Sequence, residues 1–243
     1  MKEAKKIHLQ EKVLPLAREI NLLNATIDLP LRFDQISEFR GALIAAAGRE
    51  YDLLHNHREG DKKYEYRYPL IQYRVHRGRA MLVGYQAGAE SLRAVLLKVR
   101  NIQLNNKTVP LRLHQLREKT YTLRMSEQPR YYRLQHWLAL NQENYQKWLA
   151  LDNLQDRILL LERALNGHLL SFAQAMQWQL PERLEVRLRD LIQHKTVKYH
   201  NTPLIAFDVE YRVNLNLPPL IGLGKASSHG FGWQIGSVEE KKR

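Results

Sequence analysis

The chain has 243 residues, with 38 Lys and Arg against 25 Asp and Glu and a formal net charge of +13 at neutral pH. That balance favours a polyanionic partner, with nucleic acid the first candidate and an anionic membrane surface its rival. No apolar run reaches the roughly 18 residues of a membrane span, and the start Met1-Lys-Glu-Ala-Lys-Lys6 lacks the apolar stretch of a signal peptide, so a soluble, cytoplasmic protein is expected. Cysteine is absent, which excludes disulfides, thiolate nucleophiles and the common structural zinc sites and leaves ten histidines as the main reactive inventory. One large or two small domains fit this length, and 44% hydrophobic residues are enough to fill either.

In chain order, residues 1–24 read as a polar, partly helical lead-in. The first clear strand is Ala25 to Phe33, where Ile27, Leu29, Leu31 and Phe33 alternate. Asp34 is placed to cap a following helix, whose Ile36, Phe39, Leu43 and Leu54 fall near one stripe and which is expected to run toward His55. Strands follow at Lys63 to Val75 and, after a turn at His76-Arg77-Gly78, at Ala80 to Tyr85, with Pro69 marking an edge or a bulge in the first. Tyr64, Tyr66 and Tyr68 alternate there, a pattern that more often marks sheet packing than a base-stacking platform. A second helix spans Ala89 to Val99, and Leu111 to Leu116 supplies a last strand. The order strand, helix, strand, strand, helix, strand is a ferredoxin-like unit over residues 25–116.

The second half repeats the order over residues 117–243. Leu116 to Leu140 is strand-like and irregular, rich in Arg, Tyr and Trp. A single long helix is expected from near Gln142, with Leu154, Ile158, Leu161, Leu165, Leu169, Phe172 and Met176 on one stripe. Leu184, Val186 and Leu188, then Ile205, Phe207, Val209, Tyr211 and Val213, read as a two-stranded hairpin. Leu217 to Ile221 leads through a glycine-rich segment to a short strand, Trp233 to Val238. The expected fold is therefore α+β, with two tandem ferredoxin-like (RRM-like) domains and a C-terminal glycine-rich loop at 222–232.

That loop reads Gly222-Leu-Gly224-Lys225-Ala-Ser227-Ser228-His229-Gly230-Phe231-Gly232. Glycines admit positive φ and close approach of a ligand, and Lys225, Ser227, Ser228 and His229 are donors suited to phosphate oxygens; a tight turn before the last strand is the plainer reading. Phe231 is expected to anchor the loop in the core. Arg183, Arg187, Arg189, Lys195 and Lys198 on the hairpin form a positive surface, either for RNA or as an ordinary solvated strand face.

With this loop before the last strand of a second ferredoxin-like unit, the sequence resembles the CRISPR-associated repeat-RNA endoribonucleases, the Cas-six family of RAMP proteins. The resemblance also rests on Phe39 to Ile44, on Leu54-His55-Asn-His57 and Tyr66 to Tyr73, and on Trp137 to Tyr145 and Leu161 to Phe172. It implies two ferredoxin-like domains and a metal-independent, cofactor-free cut in repeat RNA that turns precursor transcripts into guide RNAs. In that reaction the ribose 2′-OH attacks the scissile phosphate and leaves a 2′,3′-cyclic phosphate and a 5′-OH. Its implied partners are CRISPR repeat RNA and subunits of a CRISPR effector complex, with no membrane. Such chemistry needs a base, an acid and a cation.

By motif, the resemblance places the catalytic histidine at His55, with His57 the neighbouring alternative, and a downstream lysine at Lys62 or Lys63. Some family members carry a tyrosine on the first helix; Ile44-Ala45 stands there instead, which leaves the acid open and makes His57 its candidate replacement. Gly222, Gly224, Lys225, Ser227, Ser228, His229, Gly230 and Gly232 would grip the RNA. His55-x-His57 has no nearby carboxylate cluster to complete a metal site. The alternative function is a catalytically silent repeat-RNA-binding subunit that keeps the fold and the loop.

Overall fold

In the computed structural model, residues 16–48, 50–55, 68–199 and 202–237 are described. His57, Lys62 and the part of the expected strand from Lys63 to Arg67 lie outside them. The strands are β1 (Ala17–Pro30), β2 (Ile71–His76), β3 (Arg79–Tyr85), β4 (Asn101–Leu104), β5 (Lys107–Pro110), β6 (Leu113–Trp137), β7 (Arg187–Tyr199), β8 (Thr202–Asn216) and β9 (Trp233–Ser237). The helices are α1 (Ile36–Ala47), α2 (Asp52–His55), α3 (Ala87–Lys98), α4 (Gln142–Ala150) and α5 (Leu154–Ala175), with short 3-10 turns at Phe33–Gln35 and Ser227–His229.

Two tandem ferredoxin-like units share one antiparallel sheet of order β2-β3-β1-β6-β8-β7, with β9 paired to β6. The first unit is β1-α1-β2-β3-α3-β6, and its strands lie in the order that motif requires. The second is β6-α5-β7-β8-β9, in which the segment Leu217 to Gly232 takes the place of a second long helix. Strand β6 serves both: it pairs with β1 from Leu113 to Arg124 and with β8 from Arg124 to Trp137. Its pairing with β1 runs past residues 116 and 117, and the expected strand-like, irregular stretch from Leu116 is strand whose register shifts between Met125 and Arg130 and again between Leu134 and Trp137.

The first strand begins at Ala17, ahead of the alternation that starts at Ala25, so residues 17–24 are strand and not part of a helical lead-in. The reason is a switch of the buried face between Leu22 and Leu23. Ile20 and Leu22 enter a core shared with α5 of the second unit, while Leu23, Ala25 and Ile27 enter the core beneath α1 and α3. Each half of the strand alternates, but residues 17–22 are out of phase with the pattern that follows from Leu23, so the alternation read from Ala25 does not extend back through them. The shared core also joins the units directly, since Phe172 of α5 meets Tyr68 at 5.2 Å and Tyr85 at 6.3 Å between ring centroids.

Three helix expectations are corrected. Asp34 does not cap α1: its carboxylate is held by Arg32 instead, and Gln35 stands at the N-cap with no side-chain bond to the helix amides, its Oε1 accepting from the Arg32 amide at 3.0 Å. Helix α1 stops at Gly48, where φ is +100°, and α2 is a separate turn that ends at His55. The expected single long helix is two. Asn141 Oδ1 accepts from the Asn144 amide at 2.7 Å to start α4, and Asn153 Oδ1 accepts from the Asp156 amide at 2.8 Å to start α5. The β4-β5 hairpin, turned by Asn105 and Asn106 at φ of 51° and 59°, is an addition before β6.

Candidate active site

The glycine segment is a wedge between the two units. Gln72 and Arg74 of β2 are both fully buried, and Gln72 Oε1 accepts from the Gly222 amide at 2.9 Å and from Arg74 Nη2 at 2.6 Å. Arg74 also donates to the Phe231 carbonyl at 3.4 Å and lies 5.6 Å from the centre of the Trp233 ring. Burial lowers the Arg74 pKa to about 10. Any side chain at 222 would run into this guanidinium. Gly224, Gly230 and Gly232 all have positive φ, and a Cβ on them would meet the Trp137 indole, the Ile36 side chain and the Leu223 carbonyl respectively.

Several loop amides therefore bind protein. Gly222 donates to Gln72, Lys225 to the Leu138 carbonyl at 3.1 Å and Gly232 to the His136 carbonyl at 3.0 Å. Ser227 and Ser228 are buried. Lys225 stays exposed and His229 half-buried, so these two are the polar side chains the segment offers outward.

His229 belongs to a cluster that crosses between the units. Its Nδ1 lies 3.3 Å from the Tyr199 hydroxyl and 3.0 Å from Ser228 Oγ. Burial raises the Tyr199 pKa, and the Arg40 charge opposes that rise, so Arg40 of α1 acts on the same hydroxyl. Arg40 in turn donates to the His55 carbonyl at 2.7 Å and to the Leu54 carbonyl at 3.2 Å, and sits 5.8 Å from the centre of the Tyr73 ring. It caps the short α2 turn and fixes the backbone of His55. Among the described residues the Nε2 of His55 has no hydrogen-bond partner, although it is buried. Arg40 thus bonds the backbone at His55 while its charge bears on the Tyr199 hydroxyl that lies against His229.

Arg187, Arg189 and Arg212 line a cleft of about 390 Å³ with Tyr131. Arg187 and Arg212 stand directly opposite each other across β7 and β8. Like charges so placed repel, an arrangement that an anion relieves. Glu162 takes one bond from Arg187 at 3.3 Å, and Arg189 lies 5.3 Å from the centre of the Tyr131 ring. Arg183 is exposed but sits elsewhere, on a groove with Trp178, Leu180 and Leu184 at the end of α5. Arg40 and Tyr199 were not singled out from sequence. Nothing in their local pattern marks them, since each is defined by a contact far away in the chain.

Comparisons with known proteins agree with this architecture. The family model for the Cas6b N-terminal domain matches residues 18–122, and that for the Cas6b C-terminal domain matches residues 124–236. An uncharacterised protein of Methanocaldococcus jannaschii is 36% identical over 104 residues, which is 43% of this chain and 69% of that protein. Among solved structures, a crystal structure of Cas6b is similar with a TM-score of 0.79 at 23% identity, over 90% of this chain and 100% of that one. A second, a CRISPR RNA processing endoribonuclease Cas6b, gives a TM-score of 0.68 at 19% identity over the same shares. These two likenesses concern the fold, whereas the two domain matches cover most of the sequence, and the chain belongs to the Cas6b family.

Proposed function

We propose that the chain is an endoribonuclease that cuts CRISPR repeat RNA in precursor transcripts, the processing role carried in the name of one structure it resembles. The observation that carries this reading is that Arg40, bonded to the His55 carbonyl of the first unit, also bears by its charge on Tyr199 of the second, whose hydroxyl lies 3.3 Å from His229. An RNA strand laid over this cluster would meet acid–base groups from both units.

In this reading the 2′-OH next to the scissile phosphate gives its proton to the imidazole of His55, and its oxygen forms a bond to phosphorus. The P–O5′ bond breaks as the leaving oxygen takes a proton from the Tyr199–His229 pair or from His57. The products are a 2′,3′-cyclic phosphate and a 5′-OH. Lys62 supplies the cation for the charge that builds on the phosphate oxygens, and Lys225, with Arg187 and Arg189 further along β7, holds the backbone on either side.

The test uses purified protein and the CRISPR repeat RNA of its source genome, in chelator. Cleavage to cyclic-phosphate and 5′-OH ends is expected, with the same RNA bound but uncut when one 2′-deoxy nucleotide stands at the scissile position. Cleavage that stops in chelator, or that proceeds through the deoxy position, would sink the mechanism. Tight binding with no cleavage would favour the silent RNA-binding subunit.

A further inference from the structure

A second cluster lies across Phe231 from the site above. Strand β6 carries an extra residue between Leu134 and Trp137, which pair with Val209 and Phe207, and His136 takes a φ of 50° in that bulge. Strand β7 carries another between Leu191 and Gln193, which pair with Val209 and Asp208. Asp208, only 4% exposed, stitches the two bulges together. Its Oδ1 accepts from the His136 amide and its Oδ2 from Gln193 Nε2, both at 2.6 Å.

Bulges bend a strand and re-aim its side chains, and they gather beside functional sites. Here they bring His136 Nε2 to 2.8 Å from the exposed ammonium of Lys195. Burial and the Lys195 charge both lower the His136 pKa, outweighing Asp208, so the ring is a neutral acceptor. It aims the ammonium while leaving two of its three protons for another partner.

Phe33, just ahead of α1, stacks on His136 at 5.2 Å and 26° and meets Phe231 edge-on at 5.0 Å. Gly230 seats against the same ring, where a Cβ would come within 3.3 Å of it. Despite these three supports, Phe33 is 39% exposed. The adjacent Asp34 carboxylate is tied to Arg32, which offsets the one anion next to it in sequence.

We propose that Phe33, His136 and Lys195 form a nucleotide subsite, in which an unpaired base stacks on the exposed part of Phe33 and its phosphate binds Lys195 Nζ. The subsite rests on the RNA-processing reading above and assigns it a strand path. A rigid aromatic beside a fixed cation matches what single-stranded nucleic acid presents, a π-face and a phosphate. A paired base hides its face in the helical stack, so the RNA is single-stranded at this point. Phe33 precedes Arg40 by two helical turns, roughly 10 Å at 1.5 Å per residue, which puts this nucleotide close to the one being cut.

The test is a set of binding isotherms with a repeat RNA made uncleavable by a 2′-deoxy nucleotide and carrying 2-aminopurine at each position in turn. One position should show fluorescence quenched on binding. Phe33→Ala should abolish that quenching and weaken binding roughly tenfold, while Phe33→Trp retains both and controls for folding. Lys195→Ala should lower the slope of log affinity against log salt by about 0.7, one phosphate contact on a single strand. Phe33→Ala and Lys195→Ala proteins that bind with wild-type affinity, quenching and salt slope would overturn the subsite while cleavage by the wild type still upheld the function. A wild type that neither cuts repeat RNA nor prefers it to unrelated RNA of equal length would overturn both.

Discussion

His168 on α5 shows how one contact sets a pH dependence. Its Nδ1 accepts from the Trp137 indole N–H at 3.2 Å, and burial holds its pKa at about 4 against an ordinary 6.5. The folded state thus requires the neutral ring. Stability from this group is complete above pH 6.5 and is lost as pH falls from there to 4, by up to about 3 kcal/mol for a shift of this size. Urea unfolding at pH 7.5 and pH 4.5 should show that loss, and His168→Gln should lack it. An equal loss in the variant would assign the effect to other groups.

At the scale of elements, the glycine segment replaces a helix because a helix has no means of entering so narrow a space. Four glycines let the backbone touch Arg74, Trp137, Ile36 and the Leu223 carbonyl. Gly232→Ala combines a positive φ with overlap of a backbone oxygen and should cost roughly 3 kcal/mol or more, read as a lower urea midpoint. Because the segment positions His229, the variant should also lose cleavage at temperatures where it remains folded. A Gly232→Ala protein of wild-type stability would contradict the wedge.

Elements with an unbroken alternation or a clear turn were legible in the sequence. The alternation of Ile205 to Val213 gives β8, and the turn at Gly78 gives the β2-β3 hairpin. An element whose buried face switches partway was not, as the early start of β1 at Ala17 shows. The break between α4 and α5 was written in Asn153, but an apolar stripe that continues from Leu154 to Met176 masks it. Asp34 is the converse case, a good cap residue drawn away by Arg32.

For the whole molecule, a shared strand and a shared core fix the two units against each other, so a site can be built from both without a partner to align it. Strand β6 runs through both units, and Phe172 fills the space beneath Tyr68 and Tyr85. His55 and His229 could each be picked out from a motif, one after the first helix and one in the glycine loop. The link from the His55 backbone through Arg40 to the Tyr199 hydroxyl beside His229 could not, because it depends on Tyr199 at the far end of β7 and on the wedge that brings the loop to α1. The Asp208 stitch is hidden for the same reason, since neither bulge it joins has a local signature.

The central claim is that the two units supply one acid–base site. Its most direct test is single-turnover cleavage of repeat RNA in chelator by the wild type, His55→Ala and His229→Ala, with affinity for the 2′-deoxy RNA measured alongside. Each variant should cut at least about 100-fold more slowly while its affinity stays within a few-fold of wild type. Cleavage at the wild-type rate by either variant would contradict a site shared between the units.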